Sequence, residues 1–174
     1  IALHTAIAGG AELCLIPEIP FNIKKIMKRI NKRYKKGKGF ANIVIAEGAK
    51  EEGGEVVGTA SKDGDAHIKL GGIGHYLRYL MEENGSPAQV RTTTLGHIQR
   101  GGTPIAFDRI LASSMGVKAF ELAMEGKFGQ MVAYRNNNME SVPIADAIAK
   151  YNFLSTDHYL INTARSLGIS FGDQ

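Results

Sequence analysis

Ala41-Asn42-Ile43-Val44-Ile45-Ala46 runs directly into Glu47-Gly48. The six residues are mainly apolar and β-branched, which favours a strand. We therefore predict a central parallel strand with Glu47-Gly48 at its carboxyl end. A second apolar run, Leu13 to Ile16, is continuous rather than alternating, so it predicts a strand that is buried on both faces. Pro17 and Pro20 end that run.

Helical patterns alternate with these strands. After Asn22, which can cap a helix, apolar residues recur at helical spacing on one face while Lys and Arg fill the other. We expect further helices over 1–8, around 73–81, and over 110–124, 144–150 and 157–167. We also expect a loop over 50–68, a strand over 89–95 and a hairpin around 136–138. This alternation predicts an α/β fold, a three-layer sandwich with a mostly parallel sheet. Ligands bind beyond the carboxyl ends of the strands in such sheets, which selects the loops that begin at Glu47 and at Gly96.

Composition limits the class of protein. The chain has 174 residues and a net charge of +4, and its only cysteine is Cys14. A single cysteine gives no disulfide framework and indicates a reducing compartment, and we find no run long enough to span a membrane and no signal peptide. We expect a cytoplasmic protein. Nine Lys or Arg residues lie between Lys24 and Lys38 with no acid among them, which indicates either a solvated helix face or a polyanion site.

One stretch has the chemistry of a phosphate site. Arg91 precedes Leu95-Gly96-His97-Ile98-Gln99-Arg100-Gly101-Gly102. Glycines allow backbone N–H groups to approach an anion closely, the guanidinium groups of Arg91 and Arg100 offer planar forks of donors, and His97 adds another donor. From spacing alone, a salt-bridged loop with a capping histidine is an equally good interpretation.

A family resemblance changes that balance. The run Leu95 to Gly102, followed by Thr103-Pro104 and then by Asp108-Arg109-Ile110-Leu111-Ala112, resembles the signature of bacterial-type 6-phosphofructokinases. Residues 6–12, Ile16-Pro17-Glu18 and residues 43–48 also resemble segments of that family. The resemblance covers nearly the whole chain and is weakest over 50–68 and after about 150.

The resemblance implies an activity and a domain organisation. Such enzymes transfer a phosphoryl group from ATP or pyrophosphate to the 1-hydroxyl of fructose 6-phosphate in glycolysis, and the product is fructose 1,6-bisphosphate. Residues 1–174 would be a single sugar-phosphate-binding domain with a phosphofructokinase-like fold, the C-terminal part of a longer enzyme. The nucleotide-binding half, which would hold the catalytic aspartate and most of the Mg²⁺ contacts, would lie outside this chain. We therefore expect the chain to supply no catalytic or metal-binding residue and to be inactive alone.

The resemblance also implies site residues. Arg91, His97 and Arg100 would hold the 6-phosphate, and Glu47 would accept hydrogen bonds from the sugar hydroxyls. The arginine that matches Arg91 serves a neighbouring subunit in the family, so we expect a homodimer or homotetramer. The structural alternative for Glu47 is a capping or salt-bridging acid.

An effector site is implied more weakly. Lys38 would contact the phosphates of a nucleotide effector, and Gly10 and Glu12 would lie on its metal side. A solubilising role for Lys38 is the alternative interpretation. Gly71-Gly72-Ile73-Gly74 has no Lys-Ser/Thr after it, so we expect it to open a helix and not to bind a nucleotide.

Two other classes of function remain possible. The first is a nucleic-acid-binding module built on the basic helix, in which case binding would depend steeply on salt. Its apolar stripe and its single aromatic residue, Tyr34, count against it. The second is a non-catalytic regulatory subunit, against which the joint presence of Glu47, Arg91, His97 and Arg100 counts. We expect fructose 6-phosphate as the partner, with no nucleic acid and no membrane.

Overall fold

The computed structural model describes residues 1–60, 68–149 and 153–174. These residues form two compact units, one from residues 1–94 and 154–174 and the other from residues 95–153. In chain order the elements are α1 (Ala2–Ala8), β1 (Leu13–Leu15), α2 (Ile23–Lys35), β2 (Ile43–Ile45), β3 (Gly58–Ala60), β4 (Ile68–Leu70), α3 (Ile73–Glu83), a 3₁₀ helix (Gly96–Arg100), α4 (Ala106–Met124), β5 (Gln130–Arg135), β6 (Asn138–Pro143), α5 (Ile144–Ile148) and α6 (Tyr159–Ser166). The assignment of the chain to one sugar-phosphate-binding domain stays a prediction.

A parallel strand pair forms the centre of the first unit. β1 pairs with β2 in the register Leu13↔Ile43, Cys14↔Val44 and Leu15↔Ile45. On its other side β1 forms a parallel bridge with Ser170. All three residues of β1 are buried, as the continuous apolar run predicted, because the strand has backbone neighbours at both edges and helices on both faces.

Side chains of β1 alternate between two hydrophobic clusters. Leu13 and Leu15 pack with α2 and α3 in one cluster. Cys14 and Ile16 pack with α1, α6 and Phe171 in the other. Burying a Leu or Ile side chain stabilises a fold by about 1.5–3 kcal/mol, so each cluster contributes substantially. The α/β class and the three layers, helix–sheet–helix, are confirmed in this unit.

Local sequence signals explain where the helices begin. The backbone N–H of Lys24 donates to Oδ1 of Asn22 at 3.0 Å, which is the predicted cap. The predicted apolar stripe faces the core, since Ile23, Ile26, Met27 and Ile30 are buried. α3 begins after Gly72, which adopts a left-handed φ of 93°. The Gly71–Gly74 run therefore opens a helix, as predicted.

Two predictions about strands were wrong. Residues 89–95 form no strand, although their Val and Thr favour one, because no described strand pairs with them and the Thr92 side chain is bonded to α3 instead. Residues 50–68 are not wholly a loop, since β3 pairs antiparallel with β4 in the register Gly58↔Leu70. Residues 61–67, and Lys150 at the end of the predicted helix over 144–150, lie outside the described residues.

The second unit is built around the predicted hairpin. β5 and β6 pair antiparallel from Gln130↔Pro143 to Arg135↔Asn138. Asn136 and Asn137 connect them with φ values of 48° and 62°. Two successive left-handed residues are the requirement of a type I′ turn, which asparagine tolerates better than most residues. α4 packs against both strands of the hairpin.

Gly172 and Gly37 provide a matched test of the first unit's packing. Both have left-handed φ values, +76° and +77°, so replacing either with alanine costs about 1–2 kcal/mol in backbone strain. A Cβ at Gly172 would also lie 2.9 Å from Cβ of Phe21 and 3.1 Å from Cγ1 of Ile26, whereas at Gly37 it would meet nothing within 4 Å. We expect Gly172→Ala to lower the free energy of unfolding by about 1–3 kcal/mol more than Gly37→Ala.

The measurement is urea unfolding of the full-length variants, followed by circular dichroism. Equal destabilisation by the two substitutions would contradict the packing described around Gly172.

Candidate functional site

Glu47 lies where the sequence predicted it, in a turn directly after β2. Its side chain is exposed. Oε1 of Glu47 lies 4.0 Å from the position that a Cβ would occupy at Gly71. The carboxylate thus reaches the segment that leads into α3 while staying open to solvent. A carboxylate is an acceptor-only group with two oxygens, so Glu47 can accept hydrogen bonds from a ligand with hydroxyl groups.

Arg91 also belongs to the first unit, and its neighbour Thr92 is bonded to α3. The hydroxyl of Thr92 donates to the carbonyl of Gly74 at 3.3 Å. Cγ2 of Thr92 lies 2.7 Å from the position of a Cβ at Gly74, so only glycine allows this approach. Thr92, the residue after Arg91, therefore packs against the first turn of α3.

The Arg91 side chain is exposed, and its Nη2 donates to Oε1 of Gln89 at 3.3 Å. A cavity of about 360 Å³ lies beside it, lined by residues of α2, β2 and α3 and by residues 88–93. Its lining includes neither Glu47 nor His97 nor Arg100, so we do not assign it to the sugar. The cavity is lined by Ile43 and Ile45 of β2 on one side and by residues 88–93 on another.

His97 and Arg100 lie in the second unit, on the 3₁₀ helix Gly96–Arg100. Gly96 adopts a left-handed φ of 51° and Gly102 a φ of 102°, so glycines bound the turn that carries both side chains. Both side chains are exposed. Three residues per turn place i and i+3 on one side of a 3₁₀ helix, so His97 and Arg100 can act on the same anion.

The residues that follow this turn have structural partners. Oδ2 of Asp108 accepts from the backbone N–H of Ile105 at 2.9 Å, and Nε of Arg109 donates to the carbonyl of Pro104 at 3.3 Å. These contacts fix the start of α4 directly after the glycine-bounded turn. The Asp-Arg pair that contributed to the resemblance therefore stabilises the loop and is not itself a candidate ligand-binding pair.

The four predicted sugar-phosphate residues are thus divided between the units. Glu47 and Arg91 belong to the first, and His97 and Arg100 share one turn of the second. Within each unit the residues of a pair are exposed and available to a ligand. Their joint role stays a prediction.

Glu12 has structural partners that sequence reasoning missed. It is 9% exposed, and its Oε1 lies 2.5 Å from Nη2 of Arg33. Its Oε2 accepts from the backbone N–H of Asn42 at 2.7 Å. These bonds connect the start of β1 to α2 and to the residue before β2. No local pattern signals such a pairing, because the partners are distant in sequence.

The other two effector residues are exposed. Gly10 has a left-handed φ of 63° with nothing within 4 Å of a Cβ. Lys38 follows Gly37 in the turn after α2, and its backbone N–H donates to the carbonyl of Arg33 at 3.3 Å. Lys38 therefore lies close to the Arg33–Glu12 pair. Its role as an effector ligand stays a prediction.

Two groups in the first unit have shifted pKa values. Burial raises the pKa of the Cys14 thiol to about 11, so the thiolate is scarce near neutral pH and Cys14 is a poor nucleophile or metal ligand. Burial also raises the pKa of Tyr76, whose hydroxyl donates to Oε2 of Glu51 at 3.1 Å. Neither group is suited to acid–base chemistry at neutral pH.

The described residues contain no group of three or more His, Cys, Asp or Glu side chains that could hold a metal ion. In the same part of the chain, no helix is long and apolar enough to cross a membrane.

Comparison with known proteins identifies relatives of this chain. The family described as "Phosphofructokinase" matches residues 1–123. An "ATP-dependent 6-phosphofructokinase" from Chloroflexus aurantiacus is 41% identical over 174 residues, which is 100% of this chain and 47% of the relative. A "Pyrophosphate--fructose 6-phosphate 1-phosphotransferase" from Amycolatopsis methanolica is 41% identical over 162 residues, 91% of this chain and 46% of the relative. The chain thus spans about half the length of the curated relatives it matches.

Solved structures support the fold. A phosphofructokinase from Saccharomyces cerevisiae matches 95% of this chain, and 20% of its own, with a TM-score of 0.61 at 24% identity. A pyrophosphate-dependent phosphofructokinase from Marinobacter aquaeolei matches 92% of this chain, and 37% of its own, with a TM-score of 0.60 at 17% identity. At these identities the similarity establishes the phosphofructokinase-like fold and not the activity.

The Glu12–Arg33 pair leads to a prediction about stability. Replacing the buried Glu12 with alanine would remove its ion pair with Arg33 and the acceptor of the Asn42 N–H, although Arg33 would keep its bond to the carbonyl of Phe40. We expect the free energy of unfolding to fall by about 2–3 kcal/mol. The control is Glu52→Ala, which removes an exposed carboxylate whose Oε2 accepts from Asn22 at 3.1 Å, and which we expect to cost about 1 kcal/mol or less. Urea unfolding of both full-length variants measures the difference. Equal effects would show that the Glu12 contacts contribute no special stability.

Proposed function

Because the chain belongs to the phosphofructokinase family, we propose that the protein transfers a phosphoryl group from ATP or pyrophosphate to the 1-hydroxyl of fructose 6-phosphate. This chain supplies the sugar-phosphate site. The observation that carries the proposal is that the family match over residues 1–123 includes all four predicted sugar-phosphate residues. The names of the relatives agree with this activity. They lend no support to a nucleic-acid module or a regulatory subunit.

In the proposed site, His97, Arg100 and Arg91 hold the 6-phosphate. Arginine suits this task because its planar guanidinium can form two parallel bonds to phosphate oxygens. The exposure of all three side chains supports the role, since each can reach a ligand. Glycine at both ends of the 3₁₀ turn leaves backbone N–H groups open to an anion.

Glu47 accepts hydrogen bonds from the sugar hydroxyls. Its place beyond the carboxyl end of β2 agrees with the rule for ligand sites in α/β sheets. Two anchors, one at the phosphate and one at the hydroxyls, fix the orientation of the sugar. Fixing an acceptor in this way lowers the barrier to transfer, because translational and rotational freedom is lost before the chemical step.

The phosphoryl donor and its Mg²⁺ bind elsewhere in the protein. The described residues offer no cluster suited to a metal ion, so we derive no step through Mg²⁺ from this chain. Relatives named for ATP and for pyrophosphate are each 41% identical to it, so similarity over this half does not separate the donors. We propose that the groups that select the donor lie outside these 174 residues.

We further propose that Arg91 serves the sugar site of a neighbouring subunit, so that the active protein is at least a homodimer. Arg91 is exposed, and its described hydrogen bond is to the nearby Gln89 at 3.3 Å, a bond that a phosphate could replace. Gly10 and Lys38, both exposed, and the paired Glu12 are the proposed effector residues. Because Glu12 is paired with Arg33, we propose an indirect role for it: Glu12 would fix the start of β1 close to the effector and would not bind the effector itself.

Arg100→Ala tests the sugar site. We expect the full-length variant to have a KM for fructose 6-phosphate that is at least about tenfold higher, equivalent to roughly 1.4 kcal/mol, because the phosphate loses a charged donor. Arg135→Ala is the matched control: Arg135 is an exposed arginine of the same unit at the end of β5, and we expect its removal to leave KM unchanged. The measurement is steady-state kinetics with ATP and, separately, with pyrophosphate.

An unchanged KM in Arg100→Ala would refute the assignment of Arg100. A wild-type protein that binds fructose 6-phosphate and transfers phosphate from neither donor would refute the proposed activity and favour a regulatory subunit.

A further inference from the structure

The cations of α2 fall into two rows with different environments. Lys25, Arg29 and Arg33, spaced four residues apart, contact acceptors of the first unit. Nζ of Lys25 donates to the carbonyl of Asp173 at 2.7 Å, Arg29 donates to the carbonyl of Gly168, and Arg33 forms the ion pair with Glu12. This row fixes the helix to the unit and is not available to a ligand.

The second row is free. It consists of Lys24, Lys28, Lys32 and Lys35, which we call the lysine row. All four are exposed, and none of their side chains has a hydrogen bond or ion pair within the described residues. Four-residue spacing places Lys24, Lys28 and Lys32 along one side of the helix over about 12 Å, with Lys35 one turn further on. Lys38, the proposed effector residue, is not part of the row.

A helix face that is simply solvated can carry lysines or arginines paired with acidic residues, as two other helices of this protein do. α3 has an i,i+4 pair, Arg78 with Glu82 at 2.8 Å, and α4 has Lys118 with Glu121 at 3.6 Å. In contrast, the chain contains no Asp or Glu between Glu18 and Glu47. Like charges four residues apart destabilise a helix. Lys24 in the first turn opposes the helix dipole, whereas Lys32 and Lys35 in the last turn favour it. A row of like charges whose side chains have no partner among the described residues favours an external anion.

We propose that the lysine row of α2 binds inorganic polyphosphate, a linear chain of phosphate groups. The charges are complementary and both arrays are linear. The proposal is independent of the sugar-phosphate site, because the row shares no residue with it.

The chemistry of the row favours phosphate over bases and over lipid. Lysine ammonium groups are point charges without the planar fork that suits guanine. The aromatic residue of α2, Tyr34, is half-buried and packs against the core, so the row has no stacking platform for bases. The apolar face of α2 is buried, so the helix cannot insert that face into a bilayer. Asn31, exposed on α2, is an amide that could read a base, so nucleic acid is the main competitor.

The test compares two double variants of the full-length protein. Lys28→Gln with Lys32→Gln neutralises the centre of the row. Lys118→Gln with Lys127→Gln removes the same charge from the second unit, where both lysines pair with glutamates. The probe is end-labelled inorganic polyphosphate, with binding followed by fluorescence anisotropy over a range of salt concentrations. Parallel arms use a single-stranded oligonucleotide of equal charge and vesicles containing phosphatidylserine.

We expect the wild-type protein to bind polyphosphate more tightly than the other two probes. The α2 variant should bind it about tenfold or more weakly, with a salt dependence reduced by about two in logarithmic slope. The control variant should bind like the wild type. All variants should keep their fructose 6-phosphate kinetics, so a failure of this proposal is distinguishable from a failure of the proposed function.

Several results would overturn the proposal: absence of polyphosphate binding, equal weakening in both double variants, or tighter binding of the oligonucleotide or the vesicles. Tighter oligonucleotide binding that is lost in the α2 variant would identify the row as a nucleic-acid surface instead.

Discussion

The burial of β1 on both faces is the constraint on which the first unit depends. A three-residue strand can place side chains on both sides only by alternation, and Leu13 and Leu15 enter one cluster while Cys14 enters the other. The helices on each side must then present apolar stripes, which α2 does with Ile23, Ile26, Met27 and Ile30. Both edges of a buried strand need hydrogen-bond partners, which the parallel pairing with β2 provides at one edge.

This arrangement determines where chemistry can occur. Once β1 and β2 are parallel, Glu47 emerges at the carboxyl end of β2, where the helices no longer cover the chain. Gly74 allows Thr92, the residue after Arg91, to pack closely against the first turn of α3. A turn bounded by glycines presents His97 and Arg100 in the second unit. Glycine thus serves the two units for different reasons: a Cβ at Gly74 would crowd Thr92, whereas Gly96 and Gly102 adopt left-handed φ values that other residues rarely adopt.

Local patterns predicted much of this structure. Asn22 as a cap, the continuous run of β1, the stripe of α2 and the asparagine turn between β5 and β6 are each determined by neighbours within one helical turn or one hairpin. The two errors have a different origin. Val and Thr in residues 89–95 favour a strand, yet a strand needs an edge to pair with, and the Thr92 hydroxyl bonds to Gly74 instead. The β3–β4 pair escaped prediction because its strands are three residues long and lie at the ends of a polar segment, too short for an alternating pattern to stand out.

In the candidate site, too, features set by the local sequence could be predicted and features set by tertiary contacts could not. Glu47 and the 3₁₀ turn could be located from sequence, because a strand end and a glycine-bounded turn are local features. The Glu12–Arg33 pair could not, since it joins elements through tertiary packing alone. A basic helix likewise gives no indication of which cations are bound internally. Only the contacts of Lys25, Arg29 and Arg33 separate them from the exposed lysines.

The central claim is that this chain binds the sugar phosphate through Glu47 and the turn bearing His97 and Arg100. A crystal structure of the full-length protein with fructose 6-phosphate tests it most directly. The account predicts the 6-phosphate within hydrogen-bond distance of His97 and Arg100, and a sugar hydroxyl donating to the Glu47 carboxylate. A bound sugar phosphate that contacts none of these three side chains would contradict it.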